Sequence, residues 1–341
     1  MLGHSLDLLP RDLEFISQQA CRTPMRSSSE LNARVGYTVY VKDETLQRSG
    51  SFKFRGAILG VRNASQGVVA AGAGNFPIAV GLAAQTLCKP ASLIMPSDAP
   101  AFKLEQARRT GAEIHLAERS ELAERAEVEA RKRSWRNLHA FEDMEMIAGS
   151  FTLGSEIAAA IDASNSKSDA VVVACGGGGL AAGVALALRS RSISAEIYVV
   201  EPETHPRYAR ARALGAPIRI DPVGDTSCDA LRSRKIGVRA FEILEKSEVR
   251  LCAVSDKLVE DARCLLRDVC GIQVEPSGAV ALGAVLAGVV AEKHARVWVI
   301  ACGGMWSPNA DRVASLQRCS DQASALPGAH WLVARRMPWR T

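Results

Sequence analysis

The uncharged run Val171 to Leu188 is close to the length of a membrane span, yet Gly176-Gly177-Gly178-Gly179 interrupts it at the middle. A run cut in this way reads as a buried strand, a glycine turn and a buried helix. A strand that is apolar on every residue needs cover on both faces, which is the habit of parallel sheets. The same unit recurs along the chain. In the first half, strands are expected at 38–41, 67–71, 91–96 and 112–116. Between them, helices are expected from Lys53 to near Asn63, at 77–88 with Pro77 in the first helical position, at 101–110, and at 119–134. A second series starts near Glu145, with strands at 170–174, 196–200, 250–254 and 296–301. Its helices are expected at 153–162, 180–189, 206–214, 235–246, 256–269 and 277–292. An amphipathic helix at 7–20 and a short helix capped by one of Ser27, Ser28 or Ser29 come before all of these. This order predicts an α/β fold with two doubly wound parallel-sheet domains, and 341 residues are enough for both. Residues 1–64 with 145–318 form the expected large domain and 65–144 the small one. Residues 319–341 lack periodicity and read as a C-terminal arm or disordered tail.

Composition removes several classes of function. A net charge of +5, with Lys and Arg interleaved among Asp and Glu, gives no nucleic-acid stripe. Nine Cys at irregular spacing and without a CxxC pair suggest neither a zinc site nor a disulfide framework. Reduced thiols in a cytoplasmic protein are expected. Asp7, Arg11, Asp12 and Glu14 among the first apolar residues are unlike a signal peptide.

In open α/β sheets ligands bind beyond the carboxyl ends of the strands. Each unusual stretch of this sequence falls at such an end. Lys53 follows the strand at 38–41 through the turn Ser49-Gly50-Ser51. A lysine becomes a nucleophile once desolvation or a neighbouring cation lowers its pKa, although a lone helix lysine is ordinarily a solvated side chain. Arg55, two residues on, does not face it along a helix. Asn75, with Gly72, Ala73 and Gly74 before it, follows the strand at 67–71 and can hold a turn or a ligand. The four glycines before Leu180 can turn backbone N–H groups onto an anion at a helix start, or can simply be a flexible turn. They lack the GxGxxG spacing and the Walker lysine, so dinucleotide and P-loop readings fall. Cys302 ends the strand at 296–301, where a buried thiol is most often packing. Ser277 reads as the N-cap of the helix that follows it.

The string Ser51-Phe52-Lys53-Phe54-Arg55-Gly56-Ala57, with Asp43-Glu44 and Leu46-Gln47 before it, resembles the threonine/serine dehydratase family. These are pyridoxal-phosphate enzymes of the tryptophan synthase β-like fold (fold type II), and serine racemase belongs with them. The resemblance runs from about Thr23 to Trp306. It implies pyridoxal 5'-phosphate in a cleft between the two domains, held as an imine by Lys53, with the larger domain binding the cofactor. Gly176, Gly177, Gly178, Gly179 and Leu180 would cradle its phosphate. Asn75 would face the ring oxygen, Cys302 the ring nitrogen, and Phe52 and Glu275 would lie beside it. Ser51, Gly72, Ala73, Gly74 and Asn75 would hold the substrate.

The implied activity is β-elimination from a β-hydroxy amino acid such as threonine or serine, giving a 2-oxo acid and ammonia, with the freed Lys53 amine removing the α-proton. Elimination or replacement on another β-substituted amino acid, such as 3-hydroxyaspartate or phenylserine, stays open, as does a degenerate cofactor-binding sensor. The resemblance also implies a homodimer. Several positions depart from the family pattern. Phe76-Pro77-Ile78 replaces a histidine-led pattern. Ala73 stands where serine racemase has an acid/base serine. Ser150 and Phe151 alter an Ala-Gly-Gln-Gly-Thr loop, Ala230 replaces a glycine, and Met305 an asparagine. Metal-activated relatives carry a carboxylate pattern near Glu201, where this chain has Arg207 in the place of a later acidic ligand. No divalent metal is expected there.

Overall fold

The computed structural model describes residues 8–164, 168–290 and 294–304, so the arm expected at 319–341 and the departure at Met305 lie outside the described residues. Two sheets carry the strands. The larger pairs β1 (Met25–Arg26), β2 (Thr38–Asp43), β7 (Asp169–Ala174), β8 (Ala195–Pro202), β9 (Arg250–Val254) and β10 (Arg296–Ala301) in the order β1-β2-β10-β7-β8-β9. All its pairings are parallel except the edge ribbon β1–β2. The smaller sheet is parallel throughout and runs β5 (Glu113–Ala117), β4 (Ala91–Pro96), β3 (Val68–Ala71), β6 (Arg136–Leu138). β1 and β6 lie outside the sequence expectations, because two or three residues are too few to show an alternation.

The helices are α1 (Pro10–Gln19), α2 (Ser29–Val35), α3 (Lys53–Arg62), α4 (Asn75–Thr86), α5 (Ala101–Arg109), α6 (Leu122–Arg133), α7 (Met144–Ala163), α8 (Gly179–Ser190), α9 (Arg207–Leu214), α10 (Val238–Lys246), α11 (Asp256–Cys270) and α12 (Pro276–Leu286). The continuous apolar run of β7 is explained by its surroundings. Val171 and Val173 pack with Ile147 of α7, Val184 of α8 and Ala240 of α10 on one face. Ala170, Val172 and Ala174 pack with Leu265 of α11 and Val280 of α12 on the other. In the smaller sheet Val68 and Ala70 join the cluster of α3 and α4, while Val69 faces Ala126 and Ala130 of α6. Among the described residues no helix is long and apolar enough to cross a membrane.

Several helix expectations need correction, and α12 already stops at Leu286. α4 begins at Asn75, so Pro77 is its third residue and not its first. Proline is tolerated there because the opening N–H groups of a helix have no intrahelical acceptor. α7 starts at Met144, well before residue 153, and takes in Ala148–Thr152, which the family pattern had as a loop. Close packing stabilises this stretch as helix. A Cβ on Gly149 would strike the Gly56 nitrogen of α3, and a Cβ on Gly183 of α8 would strike the Ser150 Cβ. Ser150 also donates its hydroxyl to the Met146 carbonyl at 2.9 Å, inside the same helix.

A buried ionic network joins β2, α3 and α7. Arg55 Nε donates to Glu44 Oε2 at 2.9 Å, Arg55 Nη2 to Glu44 Oε1 at 2.7 Å, and Arg55 Nη1 to Glu156 Oε1 at 2.7 Å. Lys42 pairs with the other Glu156 oxygen and donates to the Thr23 carbonyl at 2.6 Å. Burial opposes the Arg55 charge, but Glu156 and Glu44 outweigh it and hold the guanidinium above its ordinary pKa. Replacing Arg55 with Met leaves Glu44 buried without a cation and Glu156 with Lys42 alone. Removing one partner of such a set costs about 3–5 kcal/mol, which urea unfolding should show as a lowered midpoint. Arg55→Lys should recover only part of it, because an ammonium cannot copy the two-pronged grip on Glu44.

Candidate active site

The backbone before Lys53 is held by a strand end on the far side of the chain. Gly50, at φ +77°, makes the turn that closes onto the Gln47 carbonyl. Ser51 then forms a bridge with Gly303, the Phe52 N–H donates to the Cys302 carbonyl at 3.2 Å, and the Gly304 N–H donates to the Gly50 carbonyl at 3.0 Å. The Gly303 carbonyl accepts in turn from the Glu275 N–H at 3.2 Å. Residues 50–52, 275 and 302–304 are therefore one hydrogen-bonded unit, and α3 leaves it with Lys53 as its first residue. A Cβ on Gly303 would sit 2.7 Å from Asn75 Nδ2 and 3.1 Å from Glu275 Oε1, so the smaller sheet's Asn75 also converges here.

The Lys53 side chain is half-buried. Its Nζ donates to the Ala140 carbonyl at 2.8 Å and lies 5.0 Å from the Phe52 ring centre and 5.8 Å from that of Phe76. Burial lowers its pKa to about 8, against a smaller opposing effect from Cys302. At pH 7 about a tenth of this amine is then uncharged, far more than in a solvated lysine. Asn75 Nδ2 donates to Glu275 Oε1 at 2.7 Å. Ser51 Oγ is fully buried and has no hydrogen-bond partner among the described residues. Such a hydroxyl costs stability unless a bound group satisfies it. Cys302 is buried, its thiol donates to the Ser277 carbonyl at 3.5 Å, and burial pushes its pKa up to about 12, so it is a neutral group.

The glycine turn follows β7 and opens α8, whose first residue is Gly179. Gly178 has φ +87°, and a Cβ on Gly177 would run into the Phe141 ring, so neither position admits a side chain. Leu180 is buried behind the turn. Ser277 is not the N-cap of α12. Glu275 is, Pro276 opens the helix, and Ser277 Oγ accepts from the Ala230 N–H at 3.1 Å, holding the loop 226–231 close by. Both Glu201 oxygens accept from the chain itself, from the Tyr208 and Ala209 N–H groups at 2.9 and 3.0 Å, and Arg207 Nε lies 3.4 Å away. Gly72, Ala73 and Gly74 line the approach to Asn75 as half-buried residues. Three participants carry no signal in the sequence. Ala140 acts through its carbonyl, Phe141 by filling space over Gly177, and Lys103 sits in the highly charged α5 helix with nothing to single it out.

An amine of lowered pKa, a side-chain-free turn at a helix start that can receive an anion, and an unpartnered hydroxyl are thus brought together in one site. The chain matches the family of pyridoxal-phosphate dependent enzymes over residues 16–303 and belongs to it. Among its relatives, L-threo-3-hydroxyaspartate ammonia-lyase of Pseudomonas sp is 32% identical over 84% of this chain and 90% of its own length. L-threonine ammonia-lyase of Thermotoga maritima is 33% identical over 83% of this chain and 71% of its own length. Serine racemase of Arabidopsis thaliana is 32% identical over 78% of this chain and 80% of its own length. Among solved structures, a threonine deaminase from T.th. superposes with a TM-score of 0.81 at 32% identity, covering 88% of this chain and 100% of that one. Maize serine racemase gives 0.80 at 26% identity, covering 92% and 97%. The mixed α/β architecture with two parallel sheets is that of fold type II pyridoxal-phosphate enzymes.

Two outcomes are expected here. Gly177→Ala drives a methyl into the Phe141 ring and should weaken pyridoxal-phosphate binding by an order of magnitude or more, read by titrating cofactor absorbance into the cofactor-free protein. In the cofactor-free protein, competitive labelling of Lys53 with acetic anhydride should rise with pH and level off above about 8, and not near 10.5.

Proposed function

We propose that the protein is a pyridoxal-phosphate-dependent ammonia-lyase that eliminates the β-hydroxyl of a β-hydroxy amino acid such as threonine or serine, giving a 2-oxo acid and ammonia. The observation that carries this reading is the Lys53 amine, buried to a pKa of about 8 and held by the Ala140 carbonyl. The cofactor, when bound, supplies a carbonyl for imine chemistry and an electron sink for the α-carbon. Lys53 would hold it, and its amine, with a pKa of about 8, would serve as the base for the α-proton near the working pH. Gly176 to Gly179 and the start of α8 receive the phosphate, with N–H groups and the helix dipole favouring the anion. Asn75 would hold the ring oxygen, and Phe52 would lie against the ring. Cys302, a neutral thiol, would face the ring nitrogen of the bound cofactor and leave it unprotonated, which suits elimination better than transamination. Ser51 Oγ and the backbone of Gly72, Ala73 and Gly74 receive the substrate carboxylate.

Ala73 favours elimination over racemisation. A methyl cannot return a proton to the second face of the α-carbon, so the chain offers one acid/base group on one face. We also infer a homodimer in the cytoplasm and no divalent-metal requirement, the latter because Arg207 sits against Glu201.

Borohydride reduction of the holoenzyme followed by peptide mapping should place the label on Lys53, and label on another lysine would overturn the assignment. Lys53→Ala should lower kcat/KM by at least about a thousandfold. Serine recovered from a partial turnover should stay in the L form by chiral chromatography.

A further inference from the structure

Arg207, the first residue of α9, is a fully buried arginine. Its guanidinium is ringed by oxygens. Nη1 donates to the Leu231 carbonyl at 2.6 Å, and Nη2 and Nε donate to the His205 carbonyl at 2.8 and 3.2 Å. Nε also lies 3.4 Å from Glu201 Oε1. Burial pulls the pKa of Arg207 down and pushes that of Glu201 up, and each group is the main brake on the other's shift. A charge pair buried in this way is weak evidence for stability. What the guanidinium holds explains it better. Glu201 follows Val200, whose carbonyl accepts from the Cys175 N–H at 2.7 Å, one residue before the glycine turn. Leu231 closes the short 3-10 helix Asp229–Leu231. A Cβ on Gly176 would lie 3.2 Å from Leu231 Cδ2 and 3.4 Å from the Ala230 carbonyl. One guanidinium therefore ties together the two backbone segments that flank the start of the turn. The three oxygens of Glu201, His205 and Leu231 are of the kind that a hard cation takes, but Arg207 already stands among them. The residues present therefore do not fit a divalent ion.

We propose that Arg207 is a positioning residue, a cation tethered to the chain that sets the backbone around the phosphate turn, and that without its guanidinium the three oxygens take a divalent cation in its place. This rests on the assignment of the cofactor phosphate to Gly176–Gly179. Arg207 touches neither cofactor nor substrate. It acts through the Leu231 carbonyl and Glu201, so its loss loosens the wall that Leu231 and Ala230 present to Gly176. A planar guanidinium reaches all three oxygens at once, which the single point charge of a lysine cannot do.

The test uses the full chain and two readouts besides turnover. Arg207→Ala should lower pyridoxal-phosphate affinity by about tenfold to a hundredfold, the range for losing a group that orients those in contact. The affinity is read by titrating cofactor absorbance into the cofactor-free protein. Mg²⁺ should restore most of the loss in Arg207→Ala, while neither Mg²⁺ nor EDTA should move the wild type. By calorimetry, cofactor-free Arg207→Ala should bind Mn²⁺ at one site more than the wild type does. Unchanged cofactor affinity in Arg207→Ala, or a loss that Mg²⁺ does not reverse, would overturn the proposal and leave Arg207 as a packing group. Arg207→Lys keeps the charge but not the reach, so it should lose affinity without gaining a Mn²⁺ site. Wild-type affinity or a gained site in that variant would overturn the proposal too, and this arm decides if Arg207→Ala does not fold. If Gly177→Ala leaves cofactor affinity unchanged, the phosphate assignment falls, and the Mn²⁺ counts still decide whether Arg207 stands in a cation's place.

Discussion

The buried set Lys42, Glu44, Arg55 and Glu156 is the constraint on which the rest of the site depends. Two cations and two carboxylates neutralise one another out of reach of water, at hydrogen-bond lengths that leave little freedom. Such a set is weak evidence for stability, because desolvation offsets most of the attraction. Its effect is geometric. It fixes α3 against the end of β2 on one side and α7 on the other, and Lys53 is the first residue of α3. A nucleophile at the start of a helix can be no better placed than the helix is.

The chemistry around Lys53 follows from enclosure. The same burial that pulls its pKa to about 8 pushes the Cys302 thiol up to about 12, because desolvation disfavours whichever form is charged. One environment thus yields an amine that can lose its proton and a thiol that keeps its own. Where carboxylates are present, at Glu275 and Asp229, they face Lys103 and not Lys53. The amine is left without an anionic partner among the described residues that would keep it charged.

Glycine has two separate uses in this site. At Gly50 and Gly178 it permits a left-handed backbone. At Gly56, Gly149, Gly177, Gly183 and Gly303 it permits approach, since a methyl would strike a neighbouring backbone, side chain or ring. The second use explains why Ser150 belongs to a helix and not to a loop. α3, α7 and α8 cross so closely that this segment must carry small side chains, and close packing holds it helical.

The wound α/β pattern was written in the order of residues alone, because buried parallel strands must be apolar throughout and their turns rich in glycine. β9 and β10 were legible to the residue, and Lys53, Asn75, the glycine turn and Cys302 were legible as strand-end residues. Local pattern could not reveal what depends on distant partners. The two-residue β1 and three-residue β6 exist only because a neighbouring strand offers hydrogen bonds. Ser277 turned from cap to anchor because the Ala230 N–H comes to it from 47 residues away. Lys103 looks like any lysine on a charged helix until the fold sets it over Gly74 and among Glu275 and Asp229. Residue type limits what chemistry is possible, but burial and charge neighbours set a group's proton affinity, and those come only with the folded chain.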